Sequence, residues 1–98
     1  MITRIVRMSF DPEKLESFRE IFDRSKVAIS SFPGCEGLTL LSDSKAPNVL
    51  FTYSHWRDEE ALNAYRHSDL FKTTWAATRL LFNDKPHAWS LLLEDKVK

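Results

Sequence analysis

Cysteine is almost absent from this chain: Cys35 is the only one. An intrachain disulfide is therefore excluded, and so is a metal site built from several thiolates. A lone thiol fits a reducing compartment, and the expected location is cytoplasmic. Glycine occurs only twice, at Gly34 and Gly37, so there is no Gly-rich loop to cradle a nucleotide or flavin phosphate. The three histidines, His55, His67 and His87, show no H-x-H or H-x-x-x-H spacing, so no metal is expected. Neither sign of charge is in excess: 14 basic residues balance 14 acidic ones. Nothing here draws the chain toward phosphate backbones or anionic bilayers, and no nucleic-acid partner is expected. No apolar run approaches the roughly 20 residues of a membrane span. Arg4 and Arg7 interrupt the amino-terminal stretch too early for a secretory signal. A soluble protein without a membrane partner is the expectation.

What is present is the composition of a globular protein, 43% hydrophobic and 29% charged over 98 residues. That length implies a single domain, residues 1–98, small enough to lean on tight packing or a partner subunit. Ile2 to Ser9 reads as a strand, with roughly alternating apolar and polar residues and β-branched Ile5 and Val6. Asp11-Pro12 starts a helix, because Asp11 can accept from the first-turn N–H groups and Pro12 suits the first helical position. Leu15, Phe18, Phe22, Ile29 and Phe32 mark its apolar face, and the helix is expected to run to about Ser31. Pro33 and Gly34 break it. Glu36 to Ser42 and Val49 to Trp56 read as strands joined by the polar Asp43–Asn48 hairpin loop. Asp58 caps a second helix and Ser68 a third, the latter expected over Asp69 to Phe82. Pro86 opens a last strand, His87 to Leu93.

The order β-α-β-β-α-α-β is an α+β, ferredoxin-like pattern: a four-stranded antiparallel sheet with its helices on one face. Val49-Leu50-Phe51 and Leu91-Leu92-Leu93 are consecutive apolar runs, which place apolar groups on both sheet faces. The face without helices then calls for cover. A second copy packed sheet to sheet about a two-fold axis is the simplest partner.

The chain resembles the antibiotic biosynthesis monooxygenase family, within the dimeric α+β barrel group. The residues that carry the resemblance are the opening strand, the long helix ending in FPGC (Phe32 to Cys35) and the strand from Asn48 ending at Trp56. EEALNAY (Glu59 to Tyr65), SDLF (Ser68 to Phe71) and the closing strand after Pro86 complete it. The resemblance implies a homodimer with a cavity in each subunit between sheet and helices. It also implies cofactor-free oxygenation of phenolic polycyclic compounds or quinols. Relatives degrade haem or isomerise signalling sugars. Family members often carry Glu two residues before the tryptophan that ends the third strand, where this chain has Ser54. The haem-degrading pattern of asparagine, tryptophan and histidine falls on Arg7 or Met8, Tyr65 and Trp75. None is retained, which disfavours haem degradation.

His55 is the leading candidate for chemistry. On period-two alternation it shares a face with Val49, Phe51 and Tyr53; if that face meets the helices, the imidazole sits in an apolar pocket. Burial would keep it neutral, a base able to take a proton from a phenol or quinol. The alternative is a structural histidine bonded at the strand's end. Tyr65 is a hydrogen-bond donor to a substrate oxygen or a ring closing the core. Trp56 and Trp75 offer flat stacking surfaces, with core packing the commoner role for both, and Tyr53 is ambiguous in the same way. Arg79, four residues after Trp75, is either a stabiliser of a developing phenolate or a surface arginine. The reading is a homodimeric monooxygenase acting on a small aromatic or quinol-type compound, with no cofactor. His55, Tyr65 and Arg79 are its catalytic candidates, and Tyr53, Trp56 and Trp75 its substrate-binding ones. The alternatives are a non-catalytic dimeric module that binds a small apolar or aromatic molecule, and a non-oxidative enzyme such as an isomerase in the same pocket.

Overall fold

Four strands and three helices follow one another in a computed structural model that describes residues 1–98. Strand β1 (Ile2–Ser9) pairs with β3 (Val49–Trp56) on one side and β4 (His87–Leu92) on the other, and β2 (Cys35–Ser42) lies outside β3. All three pairings are antiparallel, in the order β2-β3-β1-β4. This is the expected ferredoxin-like α+β arrangement. β2 starts one residue earlier than its sequence pattern suggests. A bulge between Cys35 and Gly37 admits Glu36 as an unpaired residue and still lets Cys35 pair with Trp56.

Helix α1 (Leu15–Ser30) is preceded by a single 3-10 turn at Pro12–Lys14, where the Asp11 carboxylate accepts from the Glu13 N–H at 3.0 Å. Gly34 then turns the chain at φ +87°, the left-handed region that other residues adopt with strain. Its missing side chain also admits α2 (Glu59–Arg66), since a Cβ there would collide with the Cβ of Ala61. Both remaining helices have the expected caps: Asp58 accepts from Ala61 N–H at 2.8 Å and Ser68 from Phe71 N–H at 3.1 Å.

Helix α3 (Asp69–Arg79) stops three residues short of Phe82. The reason is tertiary. Phe82 forms a bridge with Phe10, Asn83 N–H donates to Ser9 C=O at 3.0 Å, and Asp11 N–H donates to Leu81 C=O at 3.1 Å. Those bonds clamp the α3–β4 turn onto the end of β1 and draw Leu81 and Phe82 out of helical phase.

Even-numbered residues of β1 and β3 face the helices. Met8, Phe10 and Leu50 pack with Phe18 into one buried cluster, and Trp56, Ala61 and Leu62 form a second. Between the clusters the layers part. The opposite face carries Ile5, Leu41, Phe51, Tyr53, Trp89 and Leu91, in register across the sheet, with no helix over it.

Candidate functional site: a cavity between sheet and helices

Where the two clusters separate there is a cavity of about 390 Å³, within the size range of small-molecule sites. β1 supplies Arg4, Val6 and Met8 to its floor, and β3 supplies Thr52, Ser54 and Trp56. Helix α1 contributes Phe18, Ile21, Phe22, Ser25 and Ile29; α2 and α3 contribute Leu62, Tyr65, Arg66, Phe71, Thr74, Trp75 and Thr78. The hydroxyls of α1 and α3 are mostly turned back on their own helices: Ser25 donates to Ile21 C=O and Thr78 to Thr74 C=O, each at 2.7 Å. The walls are thus largely apolar and aromatic.

The aromatic side chains form a continuous chain around one end. Trp56 and Tyr65 stack with ring centroids 4.8 Å apart, Tyr65 meets Phe71 edge-on at 5.3 Å, and Phe71 stacks on Trp75 at 5.9 Å. Trp56 is almost wholly buried, and its indole N–H donates to Ser54 Oγ at 3.1 Å. Where the family often has glutamate, this chain therefore has a hydroxyl that satisfies a core tryptophan. The Tyr65 hydroxyl has no hydrogen-bond partner within the protein, yet no buried polar atom is left unpaired, so it opens on accessible space. Desolvation by burial, with Cys35 adding to it, pushes its pKa up to about 12. At neutral pH it is a phenol that donates, not a base.

Three of the residues singled out from sequence line this cavity: Tyr65, Trp56 and Trp75. The other three lie elsewhere. His55 is on the opposite sheet face, because β3 presents its even-numbered residues to the helices. The condition for a buried pocket base is thus not met. Its Nδ1 lies 3.1 Å from Thr3 Oγ1, the ring stands over Gly37, and Tyr53 meets it edge-on at 4.7 Å. These contacts match the structural alternative. Tyr53 is exposed on that same face. Arg79 is exposed in the last turn of α3 and does not line the cavity. His67, at the C-terminus of α2, bonds Asn63 C=O through Nδ1 at 2.7 Å, and exposed His87 stacks on Trp89.

Two residues of the site escaped sequence reasoning. Arg4 stands between Ile2 and Val6 on the helix-facing side of β1 and hydrogen-bonds Ser90 Oγ at 2.9 Å through Nη1. Burial first, and then the charge of Arg66, hold its guanidinium below the ordinary arginine value. Arg66, exposed at the end of α2, lines the same cavity. The available signal was a charge in the apolar phase of a strand: Ile2, Arg4, Val6, Met8.

The profile of the antibiotic biosynthesis monooxygenase family matches residues 1–77. The chain belongs to that family. A solved antibiotic biosynthesis monooxygenase superposes with a TM-score of 0.91 at 16% identity, covering 97% of this chain and 100% of the other. Rv0793 from Mycobacterium tuberculosis gives 0.89 at 18%, covering 99% and 98%. A variant of SnoaB from Streptomyces nogalater, a cofactor-independent oxygenase, gives 0.86 at 19%, covering 98% and 95%. At these identities the likeness is one of fold. A Natronomonas pharaonis protein to which haem binding is provisionally ascribed is 32% identical over 75 residues. Those residues are 76% of this chain, but the match spans only 12% of that relative.

Proposed function

We propose that this member of the antibiotic biosynthesis monooxygenase family is a cofactor-independent monooxygenase acting on a small aromatic or quinol-type compound held in the cavity. The observation that carries the reading is the Trp56–Tyr65–Phe71–Trp75 wall, with a tyrosine hydroxyl that has no protein partner. Planar walls favour a planar ligand, and the hydroxyl supplies one oriented donor. In oxygenation of an anthrone-type methylene, the substrate loses a proton to water. Tyr65 donates a hydrogen bond to the resulting oxyanion. The electron-rich anion then reduces oxygen: one oxygen atom becomes the new carbonyl, the other leaves as water, and the methylene gives up four electrons.

The haem binding ascribed to the N. pharaonis relative meets poorly placed ligands here: Met8, on the cavity floor, is packed into the first core cluster. The cavity's one histidine, His87, is exposed and stacked on Trp89, and Tyr65 is held as a phenol. These residues do not fit an axially held haem.

In the same proposal two copies pack through their open sheet faces. Supporting this, Leu41, Tyr53, Trp89 and Leu91 are between 36% and 48% exposed on that face, a contiguous apolar surface of the kind that marks an interface.

Oxygen uptake by chelator-treated protein, with a panel of anthrone-type phenols and quinols, tests the reading. Uptake is expected with at least one compound, with label from ¹⁸O₂ in the product and a loss of about tenfold or more in Tyr65→Phe. Arene binding in the cavity without uptake across the panel would instead make this the non-catalytic binding module.

A further inference from the structure

The cavity is electrically one-sided. Arg4 and Arg66 line it, and no aspartate or glutamate does. The three ion pairs of the protein, Glu16–Arg19, Asp23–Lys26 and Arg57–Asp58, involve neither arginine. Arg4 uses one of its five N–H donors on a side chain, Ser90 Oγ at 2.9 Å. No buried side-chain donor is left without a partner, so the others point into accessible space rather than into protein. Two like charges line one cavity, and burial partly desolvates Arg4, so a bound anion would recover free energy there.

We infer that Arg4 and Arg66 form an anion-recognition site at the mouth of the cavity, and that its ligand is an aromatic compound bearing a carboxylate. This rests on the cavity reading above and narrows its substrate class. The planar fork of a guanidinium matches the two oxygens of a carboxylate. The aromatic wall takes the ring, as Tyr65 and Trp75 line the same space. A neutral arene would leave both guanidiniums without a counter-ion, and a large hydrophilic anion would leave the wall uncovered. The orientation follows: carboxylate toward β1 and the end of α2, ring toward α3.

Tryptophan quenching tests this in a Trp89→Phe background, where the two remaining tryptophans, Trp56 and Trp75, both line the cavity. The probes are 2-naphthoate and its neutral isostere 2-naphthamide. Naphthoate should bind at least tenfold tighter, with an affinity that falls as salt rises, whereas that of naphthamide should not. Arg66→Gln, a change at an exposed helix end, should erase most of that preference, as should Arg4→Gln. Arg4→Lys, which keeps the charge without the fork, should retain part of it. Equal affinity for the two probes would overturn the carboxylate inference while leaving the aromatic cavity standing. Naphthoate preference unchanged in both glutamine variants would also overturn it. Failure of both probes to bind would bring down this inference and the cavity reading together.

Discussion

At the scale of single residues, Tyr65 shows how burial sets a chemical role. Its phenol, raised from 10.0 to about 12, stays protonated in the folded chain at pH values where an unfolded tyrosine ionises. The native state therefore holds more protons than the unfolded state between those values, and stability falls as pH rises through them. Relative to Tyr65→Phe, the wild type should lose about 2–3 kcal/mol between pH 10 and 12, measured by urea unfolding at each pH. A parallel pH dependence in the two proteins would contradict the assignment. Gly34 makes a second residue-scale prediction. A Cβ there meets both a left-handed φ and the Cβ of Ala61. Gly34→Ala should cost about 2–4 kcal/mol, lowering Tm by roughly 10–20 °C. A shift within 2 °C would refute this account of the turn.

At this scale the sequence was a partial guide. Trp56, Tyr65 and Trp75 could be read as interior residues, because large aromatic residues at helical and strand spacing seek the interior, but their spacing did not separate core packing from cavity lining. His55 could not be placed, because Val49, Leu50 and Phe51 are apolar on both faces and give no sign of which parity meets the helices. Arg4 carried the clue that was missed: its charge interrupts the apolar phase of β1 because that stretch of the phase borders a cavity.

At the scale of elements, local chemistry proved the more legible. Asp58 and Ser68 cap the helices expected of them, and Pro33-Gly34 ends the first. Boundaries drifted where long-range bonds compete with local ones, as at the end of α3, where Phe82 leaves the helical phase to pair with Phe10. Ser68 serves two elements at once: its hydroxyl accepts from Phe71 N–H and donates to Tyr65 C=O at 2.5 Å. It thus locks the α2–α3 joint that aims the Tyr65 ring. Ser68→Ala should cost about 1–2 kcal/mol of stability and weaken arene binding, read by thermal melts and tryptophan quenching. Ser68→Asp restores the acceptor and should recover part of the stability. Equal melts for all three would show that the joint is held by packing alone.

At the scale of the whole molecule, the two sheet faces divide the work. One holds the cavity; the other presents Ile5, Phe51, Trp89 and Leu91 in register across the sheet. On the proposed two-fold packing, sedimentation should give twice the chain mass of 11.4 kDa, and Trp89→Glu should shift it toward one, since an unpaired buried charge is strongly destabilising at an interface. A wild type that sediments as a monomer at micromolar concentration would contradict the packing.

On the proposed function, activity resides in the cavity between sheet and helices, not on the face that carries His55. Oxygen uptake by three variants is the decisive comparison. Thr74→Trp fills the cavity from α3, with Thr74→Val as the control for lost hydroxyl, and His55→Ala alters the other face. Uptake should be abolished in Thr74→Trp and retained within about threefold in His55→Ala and Thr74→Val, all remaining folded. Uptake that survives Thr74→Trp and collapses in His55→Ala would contradict that placement.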